Sequence, residues 1–271
     1  MIKLIATDLD GSLLNDDKQI PADLDSVLAQ LKEKGIAFAA VTGRNYDSVI
    51  PALGHRVQDM LCVCNNGANI YENGRLIIKH ALTKDQVHRT LDLVRTMENV
   101  DPLIFTLDRI YYAPGCKDFM KWAESPYSPM DLLEDYDSLY RLDEDVFKIS
   151  VFDGSGDITN YSYPPLLKEF AGEAAVYVSG EIWVDIVNRK ASKGYGLNLL
   201  QEKLGVTKTE TMAFGDYYND DSFLAQAGYP FVMEEGVELL KEKYPYRAGS
   251  NNAGGVTKAI KEYVLEGSKK L

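Results

Sequence analysis

Apolar residues in this chain follow two rhythms. Short runs with little or no polar interruption occur at 2–5, Ile36 to Val41, Met60 to Cys64, Thr211 to Phe214 and Tyr229 to Met233. Between the first two, Leu24, Val27, Leu28 and Leu31 recur with helical period, with Pro21 suited to a first turn and Gly35 to a C-terminal stop. A second helix is expected to run to about Leu53. Apolar strands without alternation are buried on both faces, which predicts a parallel sheet covered by helices. The fold class read from this pattern is α/β, with a Rossmann-like parallel sheet at its core.

The rhythm changes after residue 68. Asn69 to Lys79 reads as a hairpin turning at Asn73-Gly74. Thr83-Lys84-Asp85-Gln86 is a capping box opening a helix to about Met97. A strand is expected over Leu103 to Leu107, followed by Arg109-Ile110-Tyr111-Tyr112; Ala113 to Asp145 has no clear period. Val146 to Phe152, Ala174 to Val178 and Glu181 to Val187 alternate like half-exposed antiparallel strands, with a helix near Asn160 to Phe170. Residues 83–188 therefore read as an inserted α+β domain, and residues 1–82 plus 189–271 as the core. The parallel style resumes with Ser192 capping a helix from Lys193 to about Leu204. A helix near Asn219 and final helices over Val237 to Lys243 and Gly255 to Leu265 complete the core.

Composition narrows the partners. The 271 residues suffice for two domains with a real core, and a formal charge of −12 argues against a nucleic-acid or anionic-membrane surface. An anionic substrate would then need a local source of positive charge. Cys62, Cys64 and Cys116 are too sparse for a disulfide framework and suit a reducing cytoplasm, with Cys62 and Cys64 read as buried strand residues. The short span before Asp8 holds no secretory pattern and no apolar run reaches membrane-spanning length, so a cytoplasmic location is expected.

In such sheets, ligands gather at the carboxyl ends of the strands. Asp8-Leu9-Asp10-Gly11-Ser12, Thr42-Gly43-Arg44, Asn65-Asn66-Gly67-Ala68 and Gly215-Asp216-Tyr217-Tyr218-Asn219-Asp220 all follow predicted strands, and Lys193 opens a helix. Alone, the first is equally an acidic turn, the second a plain turn, Lys193 a solvated lysine, and Asp216 with Asp220 a helix cap. Asp8 and Asp10, at i and i+2, point the same way on an extended segment, and two such carboxylates need a cation between them or a shared proton.

Together and in this order, the motifs resemble the haloacid dehalogenase superfamily, specifically Cof-type phosphatases with a large inserted cap. Asn65-Asn66-Gly67-Ala68 and Asn251-Asn252-Ala253-Gly254-Gly255-Val256 resemble loops of that subfamily, while Ser12 stands where threonine is usual. The stretches Asp221-Ser222-Phe223-Leu224 and Val232-Met233-Glu234-Glu235-Gly236 depart from the common pattern. The resemblance implies that Asp8 attacks phosphorus to form an aspartyl-phosphate. It implies that Asp10 protonates the leaving oxygen and then deprotonates water; its proximity to Asp8 and poor hydration should favour the protonated form. It assigns Mg²⁺ to the Asp8 carboxylate, the Asp10 backbone carbonyl and Asp216, with Asp220 supporting. Lys193, Thr42, Gly43 and Asn219 are assigned to the phosphoryl oxygens, with Arg44 either touching substrate or forming a surface ion pair.

The implied function is a Mg²⁺-dependent phosphatase of small phosphorylated metabolites, such as sugar phosphates, working as a monomer or small homo-oligomer. A phosphomutase with the same chemistry is the nearest alternative, and a non-catalytic phosphometabolite-binding protein a more distant one. The inserted domain is expected to select the substrate, with Tyr111, Tyr112 and Trp183 either contacting it or packing inside the cap.

Overall fold

The computed structural model describes residues 1–115, 117–123 and 130–269. Fourteen strands occur among them. The first five are β1 (Leu4–Thr7), β2 (Ala37–Val41), β3 (Leu61–Cys64), β4 (Asn69–Glu72) and β5 (Arg75–Lys79). Six follow in the middle of the chain, β6 (Val100–Phe105), β7 (Ile110–Tyr112), β8 (Met130–Leu132), β9 (Lys148–Asp153), β10 (Ala174–Gly180) and β11 (Trp183–Asn188). The last three are β12 (Thr211–Gly215), β13 (Tyr229–Val232) and β14 (Tyr246–Arg247). The chain divides into two compact units, one of residues 1–44, 49–78 and 192–271, the other of residues 45–48 and 79–191.

The first unit is built on an eight-stranded sheet in the order β14-β13-β12-β1-β2-β3-β4-β5. From β14 to β3 every pairing is parallel; β3 and β4 are antiparallel. One face carries Leu4, Ala6, Ala39, Val41, Val63 and Ala213, packed with Leu197 and Leu200 of the helix Lys193–Leu204 and with Phe223 and Leu224. On the other, the helix Leu24–Glu33 buries Leu24, Val27 and Leu31, and Tyr263 packs edge-on against Phe231. Both faces are covered, which is why these strands lack polar alternation. Cys62 and Cys64 are free and buried, and burial pushes the Cys62 thiol up to about 12; Cys116 lies outside the described residues. Successive strands leave β1 in opposite directions, through β2 on one side and β12 on the other, so the edge above β1 is a topological switch point.

The second unit holds a six-stranded sheet in the order β10-β11-β9-β6-β7-β8. Its strands pair antiparallel except β7 with β8. The Thr83 capping box is formed with Gln86, and the helix runs Lys84–Arg95. The strand expected from Leu103 begins earlier, at Val100, and Pro102 sits within it. The strands near 148–153 and 183–188 are not half-exposed: β9 is buried along its whole length. Helices cover one face through Val87, Leu91, Leu166 and Phe170, while Phe119, Leu103, Ile110 and Phe152 form a second cluster. Tyr111 joins the first cluster and donates its hydroxyl to Glu144; Tyr112 stacks edge-on with Phe119, and Trp183 with Phe152. All three pack inside this unit.

Candidate active site

Asp8, Thr42, Asn65 and Asp216 each stand immediately after a strand of the parallel sheet, on β1, β2, β3 and β12. Asp8 extends the pairing by one bond, donating its amide to Phe214. The chain then turns at Gly11, whose φ is +76° and whose missing Cβ would lie 2.4 Å from an Asp216 carboxylate oxygen. Only glycine lets the backbone pass Asp216 this closely. The next residue, Ser12, donates its hydroxyl to Asp216 Oδ1 at 2.9 Å. The sequence pattern indicated a retained hydroxyl there but not this partner.

Lys193 is 2% exposed and lies at the start of its helix, where Ser192 caps by accepting from the Tyr195 amide. Its ammonium sits 2.8 Å from Asp8 Oδ1 and 2.7 Å from Asp220 Oδ1. Burial alone would lower the Lys193 pKa, yet Asp220 and Asp8 outweigh it and hold the ammonium charged. The other Asp220 oxygen accepts from the backbone amides of Asp216 and Tyr217. With both oxygens on chain donors, Asp220 aims Lys193 and closes the turn that carries Asp216.

Asp8, Asp216 and Asp220 each offer an oxygen, and these oxygens lie within 4.8 Å of one another. Fully ionised, these three carboxylates would face the Lys193 ammonium with an excess of two negative charges. The strain registers on the acids. Burial first, then Asp220 and Asp216, raises the Asp8 pKa well above the usual range despite Lys193. Burial and Asp220 push Asp216 up to about 7. A buried, oxygen-only set short of two positive charges fits a hard divalent cation.

Asp10 is different. Arg44 grips it in a fork, Nε to Oδ2 and Nη2 to Oδ1, each at 2.6 Å, and Lys18 reaches Oδ1 at 2.9 Å. Burial opposes the charge, but Arg44 and then Lys18 prevail and hold the carboxyl below its ordinary value. This corrects the expectation that Asp8 and poor hydration would keep Asp10 protonated: the two cations touch it. Arg44 thus forms an ion pair, one of the two roles expected of it. Lys18 went unnoticed in the sequence; it lies in a loop without periodicity and adopts a φ of +61° that no pattern announces.

Thr42 is buried and its hydroxyl oxygen accepts from the Arg44 amide at 3.1 Å. Asn65 and Asn66 both take left-handed backbone angles, and their amides donate to the Arg44 and Thr42 carbonyls. The Asn66 side chain lies beside Gly43 and accepts from Asn219 Nδ2 at 3.4 Å. The loops after β2, β3 and β12 thus meet at Asn66, drawing Thr42, Gly43 and Asn219 to one edge.

The family model of haloacid dehalogenase-like hydrolases matches residues 5–260. The chain belongs to that family. A relative from Escherichia coli named 5-amino-6-(5-phospho-D-ribitylamino)uracil phosphatase YbjI is 29% identical over 265 residues, covering 96% of this chain and 95% of its own. The phosphatase of the same name from Bacillus subtilis, YcsE, is 26% identical, with 97% and 96% covered. Among solved structures, SMU.1108c from Streptococcus mutans superposes with a TM-score of 0.90 at 23% identity, over 98% of this chain and 100% of that one. This haloacid dehalogenase-like hydrolase is a phosphatase, in the α/β class read from its pattern. Among the described residues, no helix is long and apolar enough to cross a membrane.

Proposed function

We propose that the protein is a Mg²⁺-dependent phosphatase of small phosphorylated metabolites, sugar phosphates or sugar-alcohol phosphates, acting through an aspartyl-phosphate. One observation carries this reading: the buried Lys193 ammonium joins Asp8 to Asp220 while Asp216 completes a carboxylate trio left two charges short. Asp8 and Asp216 would hold the ion together with the Asp10 backbone carbonyl, and Asp220 would support them. Bound there, Mg²⁺ supplies the charge that lets a carboxylate approach a phosphate dianion.

In this proposal Asp8 attacks phosphorus and the bond to the leaving oxygen breaks, replacing one slow displacement by two easier ones. Lys193, Thr42, Gly43 and Asn219 hold the phosphoryl oxygens, and positioning with charge neutralisation does most of the work. Asp10 gives a proton to the leaving oxygen and later takes one from the water that cleaves the intermediate. Its resting, ionised pairing is the form needed for the second step. For the first, Arg44 and Lys18 must loosen, and an incoming phosphoryl dianion competes for both cations. The inserted unit of residues 79–191 is assigned the choice of substrate.

Release of p-nitrophenol from p-nitrophenyl phosphate, stopped by EDTA and restored by Mg²⁺, tests the chemistry. Wild-type turnover in Asp8→Asn would sink the nucleophile. A panel of phosphorylated sugars and sugar alcohols tests the class, headed by the compound named for the two curated relatives.

A further inference from the structure

The sequence loop Asn251-Asn252-Ala253-Gly254-Gly255 takes no part in the site as described, yet it is bonded to the segment that follows Asp10. Asn251 is buried and its Nδ2 donates to the Leu14 carbonyl at 3.0 Å and to Asp16 Oδ1 at 3.1 Å. Asn252 exchanges a reciprocal pair with Asp16: its Nδ2 donates to Asp16 Oδ2 at 2.9 Å, and its Oδ1 accepts from the Asp16 amide at 3.0 Å. The two asparagines thus engage both oxygens of the Asp16 carboxylate across more than 230 residues of chain.

The loop they hold carries the chemistry. Leu14 is bridged to Asp10, and its amide donates to Leu9. Asn15 closes the tip, with its side chain accepting from the Gln19 amide and its carbonyl from the Lys18 amide. From that tip Lys18 reaches back to Asp10, and from the near side Ser12 reaches Asp216. A shift of the loop moves Lys18 and Ser12 together, and a misplacement of about 1 Å is enough to cost on the order of a hundredfold in rate.

We propose that Asn251, Asn252 and Asp16 form a positioning joint that sets the placement of Lys18 on Asp10 and of Ser12 on Asp216. The joint rests on the hydrolytic reading of the site, and its contribution falls on turnover more than on substrate affinity, since none of the three residues touches a candidate phosphate ligand.

Exchange of the paired groups tests it. Asn252→Asp sets two carboxylates face to face and breaks the pair. Adding Asp16→Asn restores both bonds with their polarity swapped, because a carboxylate at 252 still accepts from the amide of residue 16. With p-nitrophenyl phosphate, N252D should lose about tenfold in kcat, the equivalent of one well-made hydrogen bond, with KM within about twofold. The double variant D16N/N252D should recover most of that loss. Hydrogen exchange at the Leu14 amide should accelerate in N252D and slow again in the double variant, a readout independent of catalysis. Asn251→Ala should lower kcat similarly. Unchanged kcat in both N252D and N251A, or loop protection restored without recovery of kcat, overturns the joint; an inactive wild type with the exchange pattern intact would instead count against the hydrolytic reading.

Discussion

Arg44 and Asp10 form a two-point ion pair, Nε to Oδ2 and Nη2 to Oδ1, both at 2.6 Å. The residue assigned to proton transfer is thereby held in its ionised form by the residue two positions after Thr42. Fork-to-carboxylate pairs of this kind are short, strong and directional.

Removing the fork should shift the pH dependence. Burial is the largest influence on Asp10 and raises its pKa; Arg44 and Lys18 reverse it. In Arg44→Ala the carboxyl should therefore rise, and a general acid with a higher pKa stays protonated to higher pH. The basic limb of kcat/KM set by this group should move upward relative to wild type. Lys in place of Arg cannot rebuild the fork and should lie between. Superimposable profiles for wild type and Arg44→Ala would mean that Arg44 does not govern Asp10.

Lys193 is the buried cation between Asp8 and Asp220. Lys193→Met keeps the apolar stem and leaves those two carboxylates buried with no ammonium. Breaking one side of such a pair costs about 3–5 kcal/mol. Urea unfolding without metal should show a loss of that order, together with loss of turnover. A variant as stable as wild type would show that the carboxylates simply take up protons in its absence.

These two pairs also mark how far the residues could be read in advance. The end-of-strand positions of Asp8, Thr42 and Asp216 followed from apolar runs that stop abruptly, because burial on both faces of a parallel sheet leaves no other pattern. Ser192 as a helix cap placed Lys193 at a helix start, but its role at the site came only from the family resemblance. The Arg44–Asp10 fork, Lys18 and the Ser12–Asp216 bond did not, since each depends on loop paths without periodicity, and the Lys18 and Asn66 backbone angles belong to no pattern. The short strand Tyr246–Arg247 was missed for a related reason, its two residues being too few to alternate. In the inserted unit, the alternation of residues 148–153 was real, but both faces are buried, so polarity misjudged exposure.

Gly11 offers a test of geometry rather than charge. A Cβ there would meet Asp216 Oδ2 at 2.4 Å, and the φ of +76° is one that alanine adopts only under strain. Gly11→Ala should displace Asp216, lowering kcat at least about tenfold and raising the Mg²⁺ concentration needed for half-maximal activity; the strain itself is worth roughly 1–2 kcal/mol of stability. Wild-type Mg²⁺ dependence in this variant would separate Asp216 from metal binding.

The raised Asp216 pKa makes stability depend on pH in a defined direction. In the folded chain this carboxyl titrates at about 7; unfolded, it titrates near ~3.9. Between those values the folded state holds a proton that the unfolded state has released, so stability falls as pH rises across the window and levels off above it. Asp10, held below its usual range, acts with the opposite sign, and its contribution is lost only as the pH drops below ~4. Metal-free protein should therefore melt at progressively lower temperature from pH 5 to pH 7.5. Mg²⁺ binds the ionised carboxylates, so it should raise the melting temperature strongly at pH 7.5 and little at pH 5. Asp216→Asn should reduce the metal-free slope, leaving the part carried by the raised Asp8, and remove most of the Mg²⁺ response. If melting without metal is independent of pH in this interval, the carboxylate trio does not carry the excess charge on which the metal assignment rests.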